Sequence, residues 1–99
     1  MPLFCIIGHD APGATEKRNR LLQAHIQYLS KLKQQNRLMA VGPLFSGKTS
    51  ESEYSGSMLL VEFDTIEEAR AWYEQDDYYL AGVYQTLEVR PYIDAMPFC

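Results

Sequence analysis

His25 is the residue of this 99-residue chain whose type and setting most invite chemistry. Leu22, Leu29 and Leu32 fall with it at spacings of three and four, so all four share one face of a helical pattern, the face a core claims. An imidazole on that stripe must find a hydrogen-bond partner, because a buried polar group left unpaired costs roughly 1–3 kcal/mol. With an ordinary pKa of about 6.5 it can also give or take a proton near neutrality. The same position suits a core histidine satisfied by a carbonyl or a carboxylate, and the residue pattern leaves both readings open. His9 sits beside Asp10 in a polar segment and reads as solvated. A metal would need three or four ligands. His9, Asp10 and His25 could supply them only if the fold brought them together, so no metal site is expected.

Asp76 and Asp77 form the second notable group. They end a helical segment, where acids oppose the helix dipole at a cost of about 0.3–1 kcal/mol. An acid kept there against local preference points to function, or Asp77 simply caps the short helical piece that follows. "GPLFSGKT", residues 42–49, matches the pattern of a phosphate-binding loop literally. That loop works only where it opens a helix whose N-terminal amides hold phosphate. Here "SESEYSG" and then a strand follow Lys48 and Thr49, so we read no nucleotide site.

The elements that must position these residues follow from hydrophobic period and turn chemistry. Leu3–Ile7 is continuously apolar and predicts a buried strand. "GHDAPGATEK" predicts a loop. A helix is expected from a cap at or near Thr15 to about Gln35, with apolar positions Leu21, Leu22, Ile26, Tyr28, Leu29 and Leu32, and Asn36 as its stop. Strands are predicted over Arg37–Phe45, Ser57–Phe63 and Tyr84–Tyr92, with a polar loop joining the first two. "DTIEE" offers two overlapping capping boxes for a second helix, Asp64 with Glu67 and Thr65 with Glu68. The order β-α-β-β-α-β is that of the ferredoxin-like α+β folds, one domain over residues 1–99 with a four-stranded antiparallel sheet.

The strand patterns add a partner. Leu59, Val61 and Phe63 point one way, Met58 and Leu60 the other, and the first strand is apolar on both faces. Two helices cover one face of such a sheet, so the other needs a cover of its own. A second copy packed sheet to sheet, giving a homodimer, is the simplest one.

Composition narrows the class. Hydrophobic residues make up 46% of the chain, enough for a real core. The net charge is -4 without a basic cluster, which argues against nucleic-acid binding. No run approaches the roughly 18 apolar residues of a membrane span, and the apolar start lacks the basic region of a secretory signal. Cys5 lies in "LFCII" and reads as strand packing. Cys99 is last, where a prenylation signal would place its cysteine fourth from the end. A reducing cytoplasm is the expected compartment.

Taken together, "EKR…H…L" in the first helix, "GPL", "SGS" before the third strand and "W..QD.Y..AGVY" near the end resemble the YciI-like (YCII-related) family over nearly the whole chain. The resemblance implies a fold of the dimeric α+β barrel type. It also implies a site with His25 from the first helix and Asp76 from the "QD.Y" motif, joined by Asp10 after the first strand. Gly42, Pro43 and Ser57 are implied to lie near the same cavity. Two positions depart from the family: Asp77 stands where proline often follows the aspartate, and Leu22 stands where many members carry arginine. Arg18, one turn earlier, is the substitute. The few members with an assigned reaction resemble lyases or dehydrochlorinases acting on small cyclic compounds.

The expected function is therefore that of a small cofactor-independent enzyme. His25 would be general base or acid, oriented by Asp76 or, failing that, Asp10, for proton abstraction next to a carbonyl. The substrate would be a small molecule walled by Tyr28, Trp72 or Tyr78. A non-catalytic ligand-binding module and a dimerisation domain with a structural His25 are the alternatives.

Overall fold

The computed structural model describes residues 1–96; Cys99 lies outside the described residues. The chain runs β1 (Leu3–Asp10), α1 (Ala14–Gln34), β2 (Leu38–Phe45), β3 (Tyr54–Glu62), α2 (Ile66–Tyr73), α3 (Asp77–Leu80) and β4 (Tyr84–Tyr92). The four strands form one antiparallel sheet in the order β2-β3-β1-β4, and the fold is the expected ferredoxin-like α+β arrangement. Each helical crossover returns two strands over, leaving a gap that an antiparallel strand fills. β3 lies between β1 and β2, and β1 between β3 and β4.

The core lies between the helices and one sheet face. Ile6, Leu59, Val61, Ala69 and Tyr73 are fully sealed there, with Phe4, Leu29, Leu32 and Phe63 around them. A smaller cluster of Ala14, Tyr78 and Val83 closes the end near the start of α1. α1 ends where expected. Asn36 takes a left-handed conformation (φ 58°). Its N–H bonds the Lys33 carbonyl and that of Arg37 bonds the Leu32 carbonyl, the paired closure that satisfies the last turn. Thr65 caps α2 by accepting from the Glu68 N–H, so the second of the two overlapping boxes is the one used.

Four local expectations are corrected. β1 runs on to Asp10, because residues 8–10 pair with β4, and Gly8 and His9 also with the start of β3, rather than looping away. α1 starts one residue before Thr15, with left-handed Gly13 at its N-cap position and no side-chain cap. Leu22 and Ile26 are about half exposed, at 45% and 46%. The buried stripe instead runs through Arg18, His25, Leu29 and Leu32, because α1 lies beside edge strand β2 and leaves those two side chains overhanging. Finally α2 ends at Tyr73, and Asp76, not Asp77, caps α3, accepting from the Tyr78 N–H at 3.1 Å.

The "GPLFSGKT" segment is the end of β2 running into a hairpin loop, with no helix after Lys48. That loop is tied within itself: Ser52 Oγ donates to the Thr49 carbonyl and accepts from the Gly47 N–H. The sheet face away from the helices carries half-buried Cys5, Ile7, Met58 and Leu60 beside exposed Leu44. Burial there, with the charge of Glu88, pushes the Cys5 thiol up, so it stays protonated. Among the described residues no helix is long and apolar enough to cross a membrane.

Candidate active site

α1 presents Arg18 and His25 from one face, two turns apart, both toward the sheet. The turn between α2 and α3 brings Asp76 against His25. Asp76 Oδ2 accepts from His25 Nδ1 at 2.8 Å and from the Tyr78 N–H at 3.1 Å, so one oxygen both caps α3 and holds the imidazole. Asp76 is wholly buried, and its Oδ1 has no hydrogen-bond partner among the described residues. The His25 ring lies flat on the Tyr78 ring, centroids 3.8 Å apart and planes 2° from parallel.

This arrangement sets the tautomer. A carboxylate only accepts, so Nδ1 carries a proton, and in the neutral ring Nε2 keeps the lone pair. Nε2 has no partner among the described residues, yet it does not count with the sealed orphan atoms, so an edge of the ring reaches solvent. A proton acceptor with a buried carboxylate behind it is the arrangement of a general base.

A second network lies two turns back along α1. Arg18 is 6% exposed and forks onto Asp10, Nε to Oδ2 and Nη2 to Oδ1, both at 2.8 Å. Nη2 also reaches the Gly56 carbonyl at 2.8 Å and Ser57 Oγ at 2.9 Å. Burial works against the guanidinium charge, but the hydrogen bond and charge of Asp10 outweigh it and hold the Arg18 pKa above its ordinary value. Three tyrosine rings surround the cation: Tyr54, Tyr78 and Tyr84 at 5.0, 5.4 and 5.8 Å. Tyr84 donates to Ser57 Oγ at 2.9 Å and shares a 2.6 Å hydrogen bond with Tyr73. Desolvation raises Tyr73, Tyr78 and Tyr84, so these hydroxyls act as neutral hydrogen-bond groups.

Between the two networks lies a cavity of about 120 Å³, lined by Arg18, Asn19, Leu22, Pro43, Tyr54 and Tyr78. His25 stacks on the Tyr78 ring that forms part of this lining but is not itself among the lining residues. A larger recess of about 370 Å³ lies at the start of α1, shared with the first only through Tyr54.

The fold thus gathers His25, Asp76, Asp10, Arg18, Pro43, Ser57 and Tyr78 on the helix side of the sheet. Gly42 is not with them. It pairs with Met58 and so faces the opposite side, one step out of phase with Pro43, which pairs with Ser57. Asp10 serves Arg18 rather than His25. His9 lies on the far face, 3.5 Å from Glu88, and cannot join His25. Tyr28 and Trp72 also fall outside the cavity: they stack on each other, and the Tyr28 hydroxyl donates to the Trp72 carbonyl. Among the described residues no three His, Cys, Asp or Glu side chains converge as metal ligands. Tyr54, Tyr73, Tyr84 and Asn19 were not anticipated. One signal was present: Gly8 interrupts an apolar strand, and a Cβ there would sit 2.6 Å from the Tyr84 ring.

A YCII-related domain model matches residues 2–93. The chain belongs to the YCII-related family. Protein YciI of Escherichia coli O6:H1 is 33% identical over 93 residues, covering 91% of this chain and 95% of that protein. An uncharacterized protein of Haemophilus influenzae is 33% identical over 92 residues, 90% of this chain and 94% of its own length. Among solved structures, this YCII-related chain is similar to 5-chloro-2-hydroxyhydroquinone dehydrochlorinase (TftG) from Burkholderia phenoliruptrix AC1100, in complex with 2,5-dihydroxybenzoquinone. The TM-score is 0.82 at 28% identity, over 92% of this chain and 93% of that one.

Proposed function

We propose that the protein is a cofactor-independent lyase or isomerase that moves a proton on a small cyclic organic substrate. His25 Nε2 is the general base, then the acid that returns the proton, and Asp76 fixes its tautomer. The observation that carries this is the His25–Asp76 bond, with Nε2 left unpaired at an accessible edge. The similarity to a dehydrochlorinase of a hydroquinone supports the substrate class. Proton transfer between carbon or oxygen and imidazole balances without any cofactor.

The working unit is one domain and, by this proposal, a homodimer in the cytoplasm. The apolar strip of Ile7, Met58, Leu60 and Leu44 on the uncovered sheet face is what a second copy would bury, over more than the ~1,000 Å² of a specific interface. A monomer mass by light scattering at high micromolar concentration would refute the dimer.

The test of the reaction is exchange in deuterated water. Small cyclic enols, lactones and hydroxyquinones should exchange or eliminate with the wild type, and lose that turnover in His25→Ala without loss of fold. Turnover at the wild-type rate in His25→Ala would refute it. A ligand-binding module is the second reading, favoured because the cavity lining leaves out His25. Tight binding of such a compound with no turnover by wild type would establish it instead.

A further inference from the structure

Arg18 is held as though for a ligand. Its Nε and Nη2 are fully committed, Nη2 sharing two hydrogens among three acceptors. Nη1 has no hydrogen-bond partner among the described residues and is not a sealed orphan, while Arg18 lines the 120 Å³ cavity. The little of this arginine that remains accessible therefore opens there. Asp10, the Gly56 carbonyl and Ser57 keep the guanidinium plane from turning, so one arm is presented at no further ordering cost.

The remaining walls describe the guest. Tyr54 and Tyr78 offer ring faces, and Leu22 and Pro43 offer apolar surface. The volume is close to the roughly 150 Å³ that holds a benzene in an engineered cavity. A second fused ring exceeds that volume. Arg18 and His25 are seven residues apart on α1, about 10 Å along its axis. Tyr78 spans that interval. Its ring stacks on His25, its face meets Arg18, and its hydroxyl donates to the Arg18 carbonyl at 3.0 Å.

We infer that the cavity is a subsite for a single planar ring bearing an oxygen that holds or develops negative charge, such as an enolate or hydroxyquinone oxygen, which accepts from Arg18 Nη1. This rests on the proton-transfer reading of His25 and adds where the charge goes. As Nε2 takes a proton from a ring carbon or hydroxyl that reaches out of the cavity past the edge of Tyr78, the bond pair passes to the conjugated oxygen at Nη1.

The experiment is calorimetry with 2,5-dihydroxybenzoquinone as probe, 2-hydroxy-1,4-naphthoquinone as its fused two-ring counterpart and 1,4-dimethoxybenzene as an uncharged ring. Wild type should bind the first saturably and the other two weakly. Arg18→Lys should lose about tenfold or more, the size of a charge-assisted hydrogen bond, since a lysine cannot hold Asp10 and offer a fixed second arm together. Because that variant disturbs a buried ion pair, Leu22→Trp gives an independent reading. Leu22 is half exposed, so the larger ring is tolerated by the fold and fills the cavity, and probe binding should vanish. Undiminished binding in Leu22→Trp, or equal affinity for the two-ring compound, would overturn the inference. His25→Ala separates the two proposals: binding retained with turnover retained defeats the reaction and leaves the subsite, whereas turnover lost with no binding at the Arg18 cavity in any variant defeats the subsite alone.

Discussion

Replacing Asp76 tests the centre of the site, and the shared oxygen makes the outcome specific. In Asp76→Ala, α3 loses its cap, worth about 1 kcal/mol, and His25 Nδ1 is left buried without an acceptor, at roughly 1–3 kcal/mol. The expected destabilisation is about 2–4 kcal/mol, a large share of the roughly 5–15 kcal/mol by which domains are stable. Asp76→Asn should behave differently. An asparagine opposite a histidine has two orientations, and the one that donates to Nδ1 would reverse the tautomer and abolish the base. Here the Tyr78 N–H needs an acceptor at that same place, so the amide oxygen takes the Oδ2 position. The amide nitrogen then occupies the already unpaired Oδ1 position. One orphan replaces another, and the stability change should stay within about 1 kcal/mol. Nitrogen-15 chemical shifts of His25 should therefore report a proton on Nδ1 in both wild type and Asp76→Asn. Urea denaturation gives the two energies. A proton on Nε2 in Asp76→Asn, or less than about 0.5 kcal/mol lost in Asp76→Ala, would show that Oδ2 does not hold both groups.

The other predictions concern the frame around the site. Gly8→Ala should destabilise by about 1–3 kcal/mol in urea melts, because the added Cβ displaces the Tyr84 ring. Alkaline stability should fall above pH 10. Burial raises the folded-state pKa of Tyr73 and Tyr84 above the ordinary 10.0, so the unfolded chain loses those protons first. Stability is then full below 10 and declines as pH rises through the folded values. Tyr73→Phe should flatten that decline in melts between pH 8 and 11, and an unchanged slope would refute the assignment. Backbone amides from Ser46 to Tyr54 should exchange faster than those of β1 and β3, since the loop's own hydrogen bonds are solvent-exposed; strong protection there would imply a partner packed on the loop.

Much of this site was legible because single residues broke their local pattern. His25 stood in an apolar stripe, and Asp76 read as an acid set against a helix dipole, a mark that drew notice although Asp76 lies beyond the end of α2 and caps α3. The fold brings these two together at 2.8 Å. Arg18 carried no such mark. A cation early in a helix reads as a solvated face, and only the fold shows it sealed against Asp10. Leu22 misled for the complementary reason. Spacing says which residues share a face of α1, but not that β2 is an edge strand that leaves part of that face uncovered.

The tyrosine cage was hidden by parity. Counting back by twos from Phe63, Val61 and Leu59 puts Ser57, Ser55 and Glu53 on the helix side of β3, and Tyr54 on the other. The register shift between Leu44 and Phe45 opposes Tyr54 to Phe45 and leaves Ser55 as the extra residue, so Tyr54 turns to Arg18. β4 repeats the device. Its phase would place Gln85 opposite Asp10, but the shift between His9 and Asp10 brings Tyr84 there, over Gly8 and onto Ser57. A strand's binary pattern encodes its face only while the ladder stays regular, and one inserted residue reverses every side chain beyond it. Both shifts fall at the end of the sheet where Arg18 lies, and each turns a ring inward. The cavity beside that cation owes its aromatic wall to this irregularity: one residue inserted between Leu44 and Phe45 would pair with Ser55, restore the alternation, send Tyr54 outward and empty the cavity of its ring, whereas deleting Ser55 should leave Tyr54 facing Arg18.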